Sequence, residues 1–395
     1  MLENIIESNE DSQLKQYYSR YGGFWVYPEM LDFCYLVNPY FNRSKIMDEM
    51  QDHFRMLVSE YPAGINVNSR LASNCWHVKT DYIIPGNGAA ELIKELMANF
   101  KGKVGVIRPT FEEYPNRLDC EQVIPYIPRN SSFRYGVDEL IDYYENKNID
   151  TLLMINPDNP SGNFIEKEDL HRLAKWCETH NVRLILDESF VDFSQGFRNN
   201  SFISDSILEQ YPHMCVMKSI SKSYGVPGLR LGILCSADTD LIAKMKKQIS
   251  IWNINSFAEF FMEIFPKYQE DYDLACEQFI QTRKDFETEL AKIPYIKVMP
   301  SQANYFFLEV LPPYTSKQLS AILLEKYNIL VSACLAKKGI EVNRYMRIAV
   351  RSHSDNARLV KAMRELIIIC YGSYNDIKRV FEIYSSFARF WQQSS

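Results

Sequence analysis

The chain has 395 residues, of which 46% are hydrophobic and 24% are charged. This composition is typical of a globular protein with a large core and excludes disorder as the main state. At roughly 150 residues per domain, the length allows two to three domains, or one large domain with a satellite. The net charge of −6 argues against a nucleic-acid binder, because such proteins usually carry a basic excess.

Membrane insertion and secretion are also disfavoured by the sequence. No apolar run approaches the ~18–20 residues that span a bilayer, and the acidic N-terminus does not resemble a secretory signal. The nine cysteines are scattered singly, without a CxxC pair, which favours free or buried thiols in a reducing cytoplasm. We therefore expect a cytoplasmic protein with no membrane partner and no metal site.

The middle of the chain alternates short apolar runs with segments of helical periodicity. Apolar residues recur at helical spacing after Gly88 and again between Leu170 and Cys177. Strands that alternate with helices predict an α/β fold with a mostly parallel sheet covered on both faces. The runs that we interpret as buried strands are 104–107, 152–155, 184–186, 215–217 and 231–234.

The last third of the chain predicts a second, smaller sheet. A long charged stretch, 270–292, is typical of an extended helix, and a further helix is predicted from about Ser354. The segment 367–395 is rich in aromatic residues and also has a helical pattern. The predicted strands of this smaller sheet are 304–310, 329–334 and 345–350.

One lysine lies in a favourable place for covalent chemistry. Lys222 closely follows a predicted strand and precedes a tight glycine-containing loop. Ser219, Ser221 and Arg230 are donors of the types that an anionic phosphate needs. A lysine beside a phosphate site can form a Schiff base with a carbonyl cofactor, although an isolated lysine is more often a solvated surface residue.

Other candidate residues follow neighbouring predicted strands. Asn159 and Asp187 lie where open α/β sheets place their ligands, and a carboxylate such as Asp187 can pair with a protonated pyridine nitrogen. Gly88 and Ala89 open an amphipathic helix, whose free N–H groups can hold phosphate. Phe111 can stack on a planar ring. Each segment taken alone is more often a structural turn, strand end or core residue.

Taken together and in this order, these segments resemble the fold-type I pyridoxal 5'-phosphate (PLP) enzymes of the class I/II aminotransferase family. The resemblance covers roughly residues 21–363. It implies a large PLP-binding domain at 46–262, with an N-terminal arm and small α/β domain formed by 1–45 and 263–395. It also implies that Lys222 forms the Schiff base, Asp187 pairs with the pyridine nitrogen and Asn159 meets the ring oxygen. Phe111 would stack on the ring, and the implied phosphate ligands are Gly88, Ala89, Ser219, Ser221 and Arg230.

The resemblance also implies a homodimer with shared active sites. Tyr61 is similar to the tyrosine that relatives send across the dimer interface to the neighbouring cofactor phosphate, although a tyrosine before proline is otherwise an ordinary turn residue. A shared site of this kind requires a symmetric partner.

Two branches of the family compete: threonine- and serine-phosphate decarboxylases, and histidinol-phosphate aminotransferases. The segments at Tyr21, 31–39 and Trp252, together with Arg347-Ile-Ala-Val-Arg351, are more similar to the decarboxylases, although relatives of both kinds share the Asn38-Pro39 pair. Tyr21 stands where those enzymes have histidine. We therefore expect decarboxylation of L-serine or L-threonine O-phosphate, with an aminotransferase as the alternative.

The resemblance implies substrate contacts for residues in those segments. Arg347 matches the arginine that binds the substrate carboxylate. Arg351 either reaches the substrate phosphate or is solvated, and Tyr21 and Asn38 are further candidate contacts.

A non-catalytic PLP-binding sensor is a remote alternative. Such sensors are joined to winged-helix DNA-binding modules, and nothing before Tyr21 is long or basic enough for one. The combination of Lys222, Asp187 and Arg230 favours catalysis.

Overall fold

The computed structural model describes residues 14–41, 45–335 and 337–371, with the side chains of 368–371 left aside. The helices are α1 (Lys45–Asp52), α2 (Phe54–Ser59), α3 (Ile65–Trp76), α4 (Gly88–Met97), α5 (Val137–Tyr144), α6 (Lys167–Thr179), α7 (Asp205–Gln210), α8 (Thr239–Gln248), α9 (Ser256–Ile264), α10 (Gln269–Leu290), α11 (Ser316–Tyr327) and α12 (His353–Tyr371). The strands are β1 (Leu31–Asp32), β2 (Ile83–Asn87), β3 (Val104–Ile107), β4 (Val123–Tyr126), β5 (Thr151–Ile155), β6 (Arg183–Asp187), β7 (Cys215–Ser219), β8 (Leu231–Cys235), β9 (Ile296–Val298), β10 (Tyr305–Val310), β11 (Ile329–Leu330) and β12 (Tyr345–Ala349).

The large sheet has seven strands in the order β2-β8-β7-β6-β5-β3-β4. Strand β8 runs antiparallel to both of its neighbours, and the other pairings are parallel. The predicted α/β fold with a mostly parallel central sheet is therefore confirmed.

Both faces of this sheet are buried, which explains the continuous apolar runs. In β5, Leu152 and Met154 join one hydrophobic cluster, while Leu153 between them joins another. In β6, Leu184 and Ile185 are divided between the same two clusters. Alternate residues of a strand point to opposite faces, so each face needs its own apolar set.

The smaller sheet is antiparallel, in the order β12-β10-β9, and shares a third hydrophobic cluster with residues of α10 and α12. The N-terminal strand β1 pairs in parallel with β11, so the N-terminal segment packs with the last third of the chain. The division into domains at 46 and 262 stays a prediction.

The strand predicted over 329–334 is too long and does not belong to the smaller sheet, because β11 pairs with β1 and the third strand of the smaller sheet is β9. Strand β11 ends at Leu330, and beyond it Ser332 forms only an isolated bridge with Arg347. Its partner β1 offers just Leu31 and Asp32 for pairing, and Cys334 has a φ of +49°, which an extended strand cannot contain.

The predicted helix after Ser354 is present as α12 and begins at His353. The remainder of the predicted aromatic helix, 372–395, lies outside the described residues. Across the part of the chain that the structure describes, no helix has both the length and the apolar character needed to cross a membrane.

Candidate active site

Three predicted residues come together at one edge of the large sheet. Strands β5, β6 and β7 are parallel neighbours. Asn159 follows the end of β5, Asp187 is the last residue of β6, and Lys222 follows the end of β7. Because the carboxyl ends of parallel strands meet at the same edge, the sheet order brings the amide, the carboxylate and the amine to the same side.

The Asp187 carboxylate is buried and accepts two hydrogen bonds. Its Oδ1 accepts from the Ser189 N–H at 2.9 Å, and its Oδ2 accepts from the Tyr114 hydroxyl at 2.7 Å. Burial raises the pKa of Asp187, while these hydrogen bonds and the nearby Lys222 charge oppose the rise. A buried carboxylate in these surroundings favours a cationic partner, such as a protonated ring nitrogen.

The Lys222 amine has an unusually low proton affinity. Removal from water, together with the positive charges of Arg347 and Arg230, lowers its pKa to about 8, and Asp187 opposes the shift. A neutral amine is the nucleophilic form that attacks a carbonyl carbon. The electrostatics therefore suit Lys222 to Schiff-base chemistry near neutral pH.

Asn38 brings the N-terminal segment to this lysine. The Asn38 N–H donates to the carbonyl oxygen of Lys222 at 2.9 Å. The side chain is buried, and its Nδ2 has no partner among the described residues. An unpaired buried amide beside a reactive lysine is available to a ligand.

Arg347 reaches from the small sheet to the large one. Its Nη1 donates to Asn159 Oδ1 at 2.9 Å, and its Nη2 donates to the Cys34 carbonyl oxygen at 3.1 Å. The guanidinium lies 5.4 Å from the centre of the Tyr305 ring, and its buried Nε has no partner in the described part of the chain. The guanidinium is therefore held beside Asn159 with a donor to spare, as carboxylate binding requires.

The predicted phosphate ligands meet where α4 begins beside β8. The Gly88 N–H donates to the Arg230 carbonyl oxygen at 2.7 Å. Gly88 has a φ of +70°, and a Cβ atom there would collide with the Arg230 guanidinium. Only glycine combines this backbone conformation with so close an approach. Ala89 follows within the first turn of α4, where backbone N–H groups lack helical partners.

Two serines complete this set of donors. The Ser221 hydroxyl is buried without a partner among the residues described. Ser219 is also buried, and its N–H donates to the Ser189 hydroxyl at 3.0 Å. An unpaired hydroxyl, a helix N-terminus and a guanidinium are donors that fit a phosphate.

Phe111 lies at the edge of the same site. Its side chain is 41% exposed, and its ring meets the Tyr114 ring edge-on, with centroids 6.5 Å apart. The exposed ring surface is compatible with stacking on a planar cofactor, and this role stays a prediction.

Arg351 is already engaged near the chain's N-terminal segment. Its Nε donates to Asp355 Oδ2 at 3.0 Å, and its Nη1 donates to the Asp32 carbonyl oxygen at 2.8 Å. These contacts favour a structural role over the phosphate contact considered for Arg351.

Two of the predicted tyrosines lie on the surface of the single chain. Tyr21 is 84% exposed and Tyr61 is 79% exposed. The Tyr61 ring stacks on Trp252, with centroids 4.5 Å apart. Neither tyrosine has a described contact with Lys222 or Asp187, so their roles in binding stay predictions.

A buried network that the sequence did not reveal supports the lysine loop. Asp192 Oδ1 accepts from Lys218 Nζ at 2.7 Å, and its Oδ2 accepts from the hydroxyls of Ser223 at 2.8 Å and Tyr272 at 2.7 Å. Lys218 and Ser223 flank Lys222 in sequence. Breaking a buried ion pair typically costs about 3–5 kcal/mol, so Asp192 fixes the loop firmly.

Tyr114 and Ser189 were also missed as site residues. Both bind Asp187, and each lies within a segment already singled out, three residues after Phe111 and two after Asp187. Their closeness in sequence to Phe111 and Asp187 was a possible indication of a site role. A tyrosine buried in the core would have the same sequence pattern, however.

Comparison with known proteins identifies the family. The model of the family Aminotransferase class I and II matches residues 65–365. The chain belongs to this family. It is 29% identical over 350 residues to the L-serine phosphate decarboxylase of Sulfurospirillum multivorans, covering 85% of this chain and 88% of that protein.

It is also 30% identical over 349 residues to the CMP-5'-(3-aminopropyl)phosphonate synthase of Streptomyces rubellomurinus. That alignment covers 88% of this chain but only 55% of the relative's length. The chain therefore spans little more than half of this longer protein.

Solved structures give the same fold. A decarboxylase from Sulfurospirillum multivorans superposes with a TM-score of 0.79 and 28% identity, covering 87% of this chain and 90% of that one. The histidinol-phosphate aminotransferase of Clostridium acetobutylicum gives a TM-score of 0.75 at 25% identity, covering 85% and 99%. The expected fold of the PLP-dependent type I transferases is thus confirmed.

Proposed function

We propose that the protein is a PLP-dependent decarboxylase that converts L-serine or L-threonine O-phosphate into the amine phosphate and CO2. The observation that carries this proposal is the similarity to a serine-phosphate decarboxylase along most of both chains. The longer relative, the CMP-5'-(3-aminopropyl)phosphonate synthase, is named for a small amine that carries a phosphonate group. Together they favour a small amino acid with a distal phosphate.

The residues of the candidate site fit PLP. Lys222 would hold the carbonyl carbon of PLP, Asp187 its ring nitrogen and Asn159 its ring oxygen, while the α4 N-terminus, Ser219, Ser221 and Arg230 would hold its phosphate. When bound, PLP supplies an electron sink for the bond that breaks at the substrate Cα. The buried Asp187 would keep the ring nitrogen protonated, and Lys222 would move a proton at Cα.

Arg347 then decides the orientation of the substrate. A planar guanidinium binds a carboxylate through two parallel hydrogen bonds, and its contacts with Asn159 and Cys34 prevent it from turning freely. The orientation that Arg347 imposes on the substrate would then select the bond that breaks at Cα. Presenting the Cα–carboxylate bond would lead to decarboxylation, and presenting the Cα–H bond would lead to amino transfer.

An aminotransferase is the second candidate, favoured by the structural similarity to histidinol-phosphate aminotransferase. The decisive experiment incubates the purified holoenzyme with serine phosphate, threonine phosphate or histidinol phosphate, each with and without 2-oxoglutarate. Mass spectrometry then follows CO2 and the amine phosphate. We expect CO2 release without the keto acid. Amino transfer without any CO2 would show that the decarboxylase proposal is wrong.

We also infer that the active protein is a homodimer in which Tyr61 reaches the partner's cofactor phosphate. Tyr61 and Trp252 form an exposed aromatic pair, and Phe54, Val58 and Ile251 are also more than half exposed. An exposed apolar surface of this kind is typical of an interface. Sedimentation velocity should report a dimer.

Mixed dimers test the shared site. A Tyr61→Ala chain and a Lys222→Ala chain should each be impaired alone. Refolding the two together should restore activity, because one site of the hybrid then has both residues. Absence of recovery in a confirmed hybrid would place Tyr61 in its own subunit's site or outside it.

A further inference from the structure

Lys337 is a cation near the candidate site that the proposed chemistry has not used. It lies in the loop between β11 and β12, and its Nζ donates to the carbonyl oxygen of Thr110 at 2.6 Å. None of the residues that the structure describes places a carboxylate within ion-pair distance of it. Within the described part of the chain, one backbone acceptor therefore holds the ammonium group.

The surroundings of Lys337 belong to the active site. Thr110 directly precedes Phe111, the predicted ring-stacking residue. A Cβ atom at Gly339 would lie 2.9 Å from the Arg108 Cβ, so this loop packs closely on the segment before Phe111. Burial lowers the pKa of Lys337, and the positive charge of Arg347 lowers it further. Two cations therefore face the same region.

The acidic groups that also face Lys337 are engaged elsewhere. Glu112 forms an ion pair with Arg108. Asp158 is buried, accepts a hydrogen bond from the Ser161 hydroxyl and has its pKa raised to about 7, chiefly by burial. The negative charges of Glu112 and Asp158 raise the pKa of Lys337 slightly, but neither carboxylate forms an ion pair with it among the described residues.

A half-buried ammonium without a counter-ion is unfavourable unless an anion arrives. The proposed substrate has two anionic ends, and Arg347 can serve only the carboxylate. We propose that Lys337 binds the distal phosphate of the substrate, an inference that rests on the proposed function. Lysine presents a compact point charge, which suits a phosphate, whereas Arg351 is occupied by Asp355 and the Asp32 carbonyl.

Binding measurements with half-substrates separate the two anion sites. Ethanolamine phosphate carries the phosphate but no carboxylate, and L-serine carries the carboxylate but no phosphate. Calorimetric titration of the holoenzyme should show that Lys337→Gln weakens binding of ethanolamine phosphate by about ten- to a hundredfold, the range of a charged hydrogen bond. Its affinity for L-serine should stay within a factor of about two.

Matched variants keep the result interpretable. Lys337→Arg should retain most of the affinity for ethanolamine phosphate, and Lys338→Gln, at an exposed neighbouring position, should behave as wild type. Arg347→Lys should show the opposite preference and lose mainly L-serine. Thermal melting and the visible cofactor absorption establish that each variant is folded and loaded.

The outcomes distinguish this inference from the proposed function. Equal losses for both ligands in Lys337→Gln, unchanged affinity for ethanolamine phosphate, or no binding of that ligand to the wild type would each overturn the role of Lys337. A selective loss supports that role even if no CO2 is released, in which case the proposed reaction alone is wrong.

Discussion

The chemistry proposed for the site depends first on the charge state of one amine. The Lys222 pKa of about 8 reflects burial and two neighbouring guanidinium groups, with Asp187 opposing. Because Asp187 raises the pKa of Lys222 and the two cations lower it, a single substitution of one of these residues should shift that pKa. The pKa of Lys222 therefore reports the combined effect of the charges around it.

In the apoenzyme, we expect labelling of Lys222 by reductive methylation to accelerate as the pH rises through about 8, because the neutral amine is the reactive form. Arg347→Met removes a positive charge and should move this midpoint upward. Mass spectrometry of the Lys222 peptide measures the rate. A midpoint near 10.5, the usual value for lysine, would contradict the assigned environment.

Lys222→Ala in the holoenzyme should abolish both the visible absorption and turnover.

Asp187→Asn tests the carboxylate. The variant should still bind PLP but lose about two to three orders of magnitude in kcat, comparable to the loss of one preorganised electrostatic contact. A neutral amide cannot stabilise a protonated ring nitrogen as well as a carboxylate can.

Tyr114→Phe is the control for Asp187, because it removes only the hydrogen bond to Oδ2. It should produce a smaller loss than Asp187→Asn. Steady-state kinetics on cofactor-saturated enzyme give both values. Normal turnover in Asp187→Asn would exclude the proposed role.

At the scale of elements, the antiparallel strand β8 joins the two halves of the phosphate site. It lies between β2 and β7, and Gly232 faces Gly86 on one side and Ser219 on the other. A Cβ atom at Gly232 would lie 2.5 Å from the backbone nitrogen of Ala89. The absence of a side chain at Gly232 lets the start of α4 pack directly on the strand.

Gly232→Ala should therefore lower both stability and PLP affinity. The added methyl group meets backbone, which cannot yield as a flexible side chain does, and overpacking of this kind costs about 1–3 kcal/mol. Gly228→Ala is the matched control, because a Cβ atom at Gly228 meets nothing within 4 Å. Thermal unfolding of the apoenzyme and PLP titration measure the two effects. Equal behaviour of the two variants would contradict this close packing.

At the scale of the whole molecule, a few long-range contacts join the small sheet to the large one. Arg347 on β12 binds Asn159 after β5 and the Cys34 carbonyl in the N-terminal segment. Arg283 on α10 donates to the carbonyl oxygens of Phe193 and Ala303. The position of the carboxylate-binding guanidinium therefore depends on how the N-terminal segment, the large sheet and the small sheet are assembled.

Arg347→Lys should lower kcat/KM by about one to two orders of magnitude, the value of an ionic hydrogen-bonded contact. A lysine retains the charge but cannot make the parallel pair of hydrogen bonds. The visible absorption of bound PLP should be unchanged. Arg344→Lys is the control, since Arg344 binds Glu309 and Glu341 near the surface. Equal kinetics in both variants would show that Arg347 does not orient the substrate.

The sequence by itself determined the local features. Continuous apolar runs predicted five of the seven strands of the large sheet to within one or two residues, because a strand covered on both faces must be apolar throughout. The two edge strands were missed, since β2 contains Pro85 and Gly86 and β4 is partly exposed. The positions of Asn159, Asp187 and Lys222 after successive runs were also readable, since the carboxyl end of a strand is defined by its own sequence. The family resemblance added the expected roles of these residues.

The tertiary structure alone decided which side chains meet. The contact of Tyr114 with Asp187 and that of Arg347 with Asn159 join residues far apart in sequence, and no periodicity encodes such pairs. The same holds for the early end of β11 and for the engagement of Arg351 with Asp32 and Asp355. Hydrophobic patterns and turn residues act over a few positions, whereas these contacts depend on sheet order and on the packing of separate segments.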